Sequence, residues 1–488
     1  MTDALVHLAV ALPLATALLV PLARGARLAR LVVAGALLTA AAAGALGVVA
    51  LADHAEPARG HWYVVDAAGG VYLLVVAAIG LLSALASPGY LGPAHRGFFA
   101  EHRSRPAYYV ALLAFWAVLL AVPLVDNLVV AWILVEATTA ASAVLVAFSG
   151  GRLALEAGWK YLVLTTLGLT VALLGIVVLY ALLASGGSVL GTLDWDAIRA
   201  GAGAIDGDAA VFALVLILAG LAAKIGWAPV HNWLPDAHSE APPPVSALLS
   251  AALLPTVMLV AWRTLAALDP AVGGTGGALF LAFGLVSLAV AVPFLWRRLP
   301  IKRLLAYSSL EHMGVLALGI GFGTPLALAG VVIHVAGHAL AKSLGFYATI
   351  PLLRRDRTLA TEAPVSLNST SPAAAGAVGL SLASLSGLPP SPLFVSEVLI
   401  LAGGVAAGEI AVVAVAAALL ALGFLGLAHA LLEGVAGDAP REPVASRRAE
   451  RRLLALTAAI GCALLALTAA AYGLIDSALV ADLMRGVG

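Results

Sequence analysis

Fourteen stretches of mostly apolar residues recur from one end of the 488-residue sequence to the other. As helices, stretches of about 20 residues are long enough to cross the ~30 Å hydrocarbon core of a bilayer. They cover residues 4–22, 30–52, 64–87, 106–123, 125–148, 159–184, 209–230, 244–267, 275–296, 302–322, 325–350, 373–402, 408–432 and 453–475. Unpaired backbone amides are too costly in hydrocarbon, so spans of this kind must be helical. Hydrophobic residues make up 62% of the chain and charged residues 11%, a balance foreign to soluble globular proteins. The spans leave no room for a sizeable soluble domain. The expected fold is an all-α polytopic membrane protein with about 14 transmembrane helices.

The basic residues set an orientation. Setting aside Lys224 and Lys342 in mid-span, only Arg59, Arg199, Arg263 and Arg485 belong to the side reached after even-numbered segments. The other 20 of the 26 basic residues, from Arg24 through Arg96, Arg298 and Arg354 to Arg452, belong to the side reached after odd-numbered ones. Positive charge stays cytoplasmic, which predicts both termini outside a cell inner (plasma) membrane and an even helix count. Met1 to Val20 has no positive leading region and is followed by arginines, so it reads as a retained first helix.

Several function classes drop out. The formal net charge is zero and no basic groove with interleaved aromatics is present, which argues against nucleic acid. A single cysteine, Cys462, excludes a disulfide framework, a CxxC redox pair and a cysteine-ligated iron–sulfur cluster within the chain. No glycine-rich phosphate loop follows a strand pattern. No cofactor is therefore expected in this chain, and redox or nucleotide energy must come from partners.

Against this apolar background the ionisable residues inside spans stand out, because each is costly at membrane depth unless it faces a cavity or partner. The seventh span places Lys224 after the apolar run Val211–Ala223 and then breaks at Gly226 and Pro229, in KIGWAPVHNWLPDAHSEAPPPVSALLS. Broken helices at this depth commonly line ion or substrate paths, although a lysine snorkelling from a helix end is the plainer alternative. The fifth span carries Glu136, about three turns into its helix. A neutral Glu136 bonded to Thr138 or a carbonyl would satisfy it, but pairing with Lys224 satisfies both residues. Asp194, Asp196, Asp206 and Asp208, between the sixth and seventh spans, read as solvated charges on an exposed cap. The eighth span opens at Pro242–Pro244 and runs to Arg263.

The second half repeats the theme. The tenth span, following RRLPIKRLLAYSSLEHMG, carries Glu311 and His312, either of which could relay a proton or only satisfy a polar contact. In the eleventh, His334, His338 and Lys342 recur every four residues and share one helical stripe. Zinc needs about three or four ligands, and the neighbouring sequence offers the histidines no acidic or cysteine partner, so no metal is expected. The twelfth span breaks at Gly387, Pro389, Pro390 and Pro392 and resumes with Glu397. Two proline-interrupted helices five spans apart suggest paired five-helix repeats, the second inverted. The expected organisation is a three-helix scaffold over 1–104, a first repeat over 105–270, a second over 271–433, and a charged loop with the last helix over 434–488.

VEATT around Glu136, the stretch from Lys224, KRLLAYSSLEHMG from Lys302, HVAGHALAKS around Lys342 and LFVSE at Glu397 resemble the antiporter-like, proton-pumping membrane subunits. That superfamily spans respiratory complex I, Mrp cation/proton antiporters and group 4 membrane-bound hydrogenases. EATT, DAHSEAP, SSLEHMG and FVSE are most similar to its hydrogenase-4 component F branch. The resemblance implies inverted repeats over helices 4–8 and 9–13, broken helices 7 and 12, and a glutamate–lysine pair between helices 5 and 7. It also implies a polar axis along the membrane midplane. Carried over by motif, the proton-transfer residues are Glu136, Lys224, His334, His338, Lys342 and Glu397. Several relatives have a lysine on helix 8, where this chain offers Pro255, so His238, Glu311 or His312 would have to bridge the gap. The long lateral helix that ends the largest relatives is not seen.

The implied function is a proton-translocating subunit of a redox-driven complex, with electron transfer in other membrane and peripheral subunits of hydrogenase-like, iron–sulfur or quinone-reductase-like type. A secondary Mrp-type cation/proton antiporter is the alternative, favoured if only membrane subunits accompany the chain. A non-conducting scaffold has little reason to keep Glu136, Lys224, Lys342 and Glu397 in apolar spans.

Overall fold

Leucine, valine and alanine fill the apolar stretches, and wherever proline and glycine are spaced apart nothing competes with helical hydrogen bonding. A computed structural model describes residues 2–52, 57–92, 105–184, 189–353, 367, 371–436 and 447–474. Thirteen helices among the described residues are long and apolar enough to cross a membrane. Two shorter ones together make up the broken twelfth span.

The first half contains α1 (Thr2–Leu19), α2 (Ala26–Ala52), α3 (Ala67–Tyr90), α4 (Arg105–Ala121), α5 (Leu128–Val146) and α6 (Arg152–Leu183). The short α7 (Val189–Thr192) and α8 (Trp195–Ala202) lead into α9 (Gly207–Ile225). α9 ends at Ile225, one residue after Lys224, and Gly226, with a positive φ of 81°, forms the left-handed cap. The short α10 (Leu234–Glu240) and α11 (Pro243–Leu248) follow. A π-helical turn over Leu249–Leu253 joins α11 to α12 (Leu254–Val272). Pro255 has no N–H and crowds the preceding turn, and a π turn is one way for a helix to absorb that fault. The helix does not end near Arg263, as the sequence suggested, but runs on to Val272.

The second half holds α13 (Gly274–Leu295), α14 (Ile301–Phe322) and α15 (Pro325–Ala348). Next come α16 (Pro372–Leu385) and α17 (Pro392–Ala406), which flank the break at Gly387, then α18 (Ile410–Ala436) and α19 (Arg447–Leu474). The interior belongs to α11–α12, α14 and α15: the apolar window of the first is 100% buried and that of α14 is 94% buried. Those of α18 and α19 are only 22% buried, so these helices line the outer surface. A two-stranded ribbon, β1 (Ala58–Arg59) with β2 (Val64–Val65), caps the loop between α2 and α3.

Ion pairs and hydrogen bonds gather the loops at two rims. On one rim, Tyr63 donates to Asp3 (2.9 Å), Arg59 bridges Asp126 (3.0 Å) and Asp196 (2.6 Å), and Asn127 donates to Asp194 (2.8 Å). Asp206 caps α9 through the Ala209 amide. The acidic residues of this rim are therefore mostly engaged, which corrects their reading as merely solvated charges; Asp208 alone has no such bond described. Beneath them Arg263, 3% exposed, donates to Asp66 (2.7 Å) and to the Pro123 carbonyl (2.9 Å). On the opposite rim, Asp236 accepts from Lys160 (3.2 Å) and Arg303 (3.1 Å), and Arg298 pairs with Glu433 (2.6 Å). The buried Lys302 caps the end of α10 by donating to the Ser239 carbonyl (2.7 Å) and the Ala241 carbonyl. This grouping matches alternating spans. Arg96, Arg103, Arg354, Arg355, Arg357, Arg441 and Arg485, used in the charge asymmetry, lie outside the described residues, as does the C-terminal segment 475–488.

Two stability predictions follow from these rims. Removing one partner of a buried ion pair costs about 3–5 kcal/mol, so Arg263→Met should lower the thermal midpoint of the purified protein more than the double variant with Asp66→Asn does. Equal losses would show that the pair is not coupled. Burial outweighs Arg59 and pushes the Asp126 carboxyl up to about 6. The folded state then holds this proton where the unfolded chain, near 3.8, has released it. Its contribution is present at low pH and lost as pH rises through about 6. Asp126→Asn should flatten the decline in midpoint between these values, and an unchanged slope would reject the assignment.

Candidate functional site

Lys224 is fully buried at the end of α9, and its ammonium donates to the Thr139 hydroxyl of α5 (2.6 Å) and the Tyr161 hydroxyl of α6 (2.6 Å). It also lies 4.6 Å from the centre of the Tyr161 ring, a favourable place for a cation. Tyr161 in turn bonds Ser142 (2.7 Å), one turn beyond Thr139 on α5. Glu136 lies on the same face of α5, three residues before Thr139, but no ion pair joins it to Lys224. Its Oε1 accepts from Thr166 of α6 (2.7 Å), while Oε2 is buried without a protein partner. The carboxylate is near enough to act on Lys224 through space. The direct pair expected from the sequence is thus replaced by neutral hydroxyls on Lys224 and a threonine on Glu136.

From Lys224 polar groups continue inward. Trp233 donates to the Ala223 carbonyl (2.6 Å) and stands between Tyr161 (4.7 Å) and His238 (6.2 Å), centre to centre. His238 is fully buried on α10. Its Nδ1 faces the Leu234 carbonyl (2.9 Å), which can only accept, so the ring proton sits there. Nε2 is left as a buried acceptor with no protein partner. The ring lies 5.8 Å from Phe346, on the same face of α15 as Lys342.

Lys342, also fully buried, donates to the Leu305 carbonyl (2.6 Å) and the Ser308 hydroxyl (2.7 Å) of α14. The adjacent Ser309 bonds Ser250 (2.7 Å) in the π turn, linking α14 to the helix that lacks a lysine. One turn back on α15, His338 is buried with neither ring nitrogen bonded to protein. Its ring is 5.1 Å from His312 of α14. His312 Nδ1 meets His334 Nε2 (3.0 Å), and His334 Nδ1 meets Ser396 of α17 (2.8 Å). Glu397 follows, its carboxylate beside Gly387, where an added Cβ would come within 2.7 Å of Oε2.

Glu311 points elsewhere. Successive helical residues differ by about 100°, and its carboxylate presses on α18 at Gly423, where any Cβ would collide with Oε1. It stays close enough to act on Lys342 through space. His429 is half exposed and stacks on Trp296 (6.3 Å), away from this row.

The buried amines and imidazoles therefore lie from α9 to α15 as Lys224, His238, Lys342, His338, His312 and His334, with the partly buried Glu136 on α5 and Glu397 on α17 at the two ends. Amines, imidazoles and hydroxyls can each take up and hand on a proton. Thr139, Tyr161, Thr166, Ser308 and Ser396 were not anticipated from the sequence. The only signal was their polarity within apolar spans.

The family described as NADH:quinone oxidoreductase/Mrp antiporter, transmembrane, matches residues 125–423, which run from the start of α5 into α18. The chain is 31% identical over 373 residues to a hydrogenase-4 component F homolog of Methylacidiphilum infernorum, covering 75% of this chain and 78% of that protein. It is 30% identical over 433 residues to an NADH-quinone oxidoreductase subunit N of Desulforudis audaxviator, covering 83% and 81%. A chain of the membrane-bound sulfane sulfur reductase, an archaeal respiratory membrane complex, shares the fold with a TM-score of 0.85 at 20% identity over 99% of this chain and 97% of its own. A multi-pass helical bundle, the matched residues and these relatives together make this chain a member of the NADH:quinone oxidoreductase/Mrp antiporter family of membrane subunits.

Proposed function

We propose that the protein is a proton-translocating, antiporter-like subunit of a redox-driven membrane complex, of hydrogenase or complex I type. In this reading electrons move in other subunits and no cofactor is needed here. The observation that carries the reading is Lys224, fully buried and held by neutral hydroxyls, with the Glu136 carboxylate nearby but bonded elsewhere. A buried ammonium without a paired counter-charge is costly. Approach of Glu136 would stabilise the cation, and its withdrawal would favour release of the proton inward. His238, with an open acceptor nitrogen, would take the place that a helix-8 lysine holds in several relatives. Lys342, His338, His312 and His334 would carry the proton on to Glu397.

In this reading the repeats comprise helices 4–8 and 9–13, and the rim joining Asp3, Asp126 and Asp194 faces outside an inner (plasma) membrane. The neighbours expected are other membrane subunits and peripheral iron–sulfur, hydrogenase-like or quinone-reductase-like subunits. Gentle purification from the native membrane should bring such subunits down with the chain. Recovery of membrane subunits alone would favour the Mrp-type secondary antiporter instead.

Lys224→Ala should abolish proton translocation in vesicles while the complex still assembles; unchanged translocation would sink the scheme. Tyr161→Phe removes one hydrogen bond to a charged group, worth roughly 1.5–3 kcal/mol. It should slow translocation at least tenfold without lowering the amount of assembled complex. A rate within twofold of the unmodified protein would show that the hydroxyl does not position Lys224.

A further inference from the structure

His312 on α14, His334 on α15 and Glu397 on α17 each bring one ligand atom to within 4.8 Å of the other two. The sequence neighbourhood of the histidines offered no acidic partner; the fold supplies one from 63 residues beyond His334. We propose that these three side chains form a binding site for a divalent transition cation, zinc above all, and that filling it blocks the proton route.

The hydrogen bonds prepare the ligands. The single proton of Ser396 goes to the Leu393 carbonyl (2.8 Å), so Ser396 accepts from His334 Nδ1–H (2.8 Å). His334 Nε2 is thereby fixed as a lone pair, and a ligating histidine whose other nitrogen donates is the usual form at zinc. That lone pair receives a hydrogen bond from His312 Nδ1 (3.0 Å). The other ring nitrogen of His312, Nε2, is buried without a protein partner, so the ring proton can move there. His312 can then offer Nδ1 with its net protonation unchanged. At zinc–nitrogen distances of about 2.0–2.1 Å, two tetrahedral nitrogen ligands stand roughly 3.3 Å apart. The two histidine nitrogens need to part by only a few tenths of an ångström.

Glu397 supplies the oxygen. It is the one ligand of the three that is only partly buried. Gly387 leaves room for its carboxylate. Two imidazoles and a carboxylate with a fourth position open are a known zinc donor set, and His338, with both nitrogens unpaired by protein, stands 5.1 Å from His312 as a further donor. The ion would occupy the same lone pairs that a migrating proton needs, so the two uses exclude each other. The blocking half of the proposal rests on the translocation reading; the site itself does not.

The test uses the full chain, untagged with histidine, purified in lipid nanodiscs and stripped with chelator. Titration with cobalt should produce the intense visible bands of a tetrahedral centre at one ion per chain, displaced by zinc. His334→Ala and Glu397→Gln should each weaken uptake by about tenfold or more. Ser396→Ala, which frees the His334 ring, should weaken it in the same direction, while Glu311→Gln should leave the spectrum intact. No tetrahedral spectrum, or the same affinity in His334→Ala and Glu397→Gln as in the unmodified chain, would overturn the site. In vesicles of the native complex, zinc should stop proton flux and chelator should restore it. Site-dependent binding with undiminished flux would overturn the blocking role. Failure of the translocation reading shows separately, as a Lys224→Ala variant that still pumps.

Discussion

The cost of holding Lys224 away from water is the constraint around which the interior is arranged. No carboxylate bonds the ammonium. The Thr139 hydroxyl on α5 and the hydroxyl and ring of Tyr161 on α6 hold it. This is why α5, α6 and α9 meet at one depth, with α9 ending at Ile225 and capped by Gly226. A helix that continued would bury another turn of backbone where Trp227, Trp233 and His238 are needed. The break instead turns the chain across the core, and Trp233 closes it by donating back to the Ala223 carbonyl.

The second half solves a similar problem with different chemistry. Lys342 lies mid-helix on α15, with no break beside it, and leans on the Leu305 carbonyl and Ser308 of the neighbouring helix. Its own helix supplies the two histidines one and two turns back. The break in this half falls in the next span, where Gly387 gives room for Glu397 and Ser396 orients His334. Between the halves, α12 contributes no charge at the depth of Pro255. Its π turn presents Ser250 to Ser309 instead.

Most of the bundle was legible in the sequence because membrane spans are written in hydropathy and length alone. Both breaks were legible too, from Gly226 with Pro229 and from Gly387 with the prolines that follow. The stripe of His334, His338 and Lys342 follows from helical arithmetic within one span. What one sequence does not carry is the meeting of side chains from separate spans. Tyr161 and Thr139 around Lys224, Glu397 beside His334, and Glu311 turned toward Gly423 all depend on helix rotation and tilt. Those are set by packing of small residues, with no local signature. The acidic loop misled for a related reason: its partners, Arg59 and Asn127, come from loops far away in the chain.

Lys302 and Asp236 carry a consequence for how such a machine can move. Lys302 ties the start of α14 to the end of α10, and Asp236 joins α10 to both α6 and α14. On the far rim, Arg263 ties α12 to the entrance of α3. Rocking of the second half against the first would have to tear the buried Lys302 from the carbonyls at the end of α10, while Arg263 stiffens the first half within itself. A cheaper motion would be internal, with Lys224 and Lys342 exchanging hydroxyl partners inside a frame that keeps its shape.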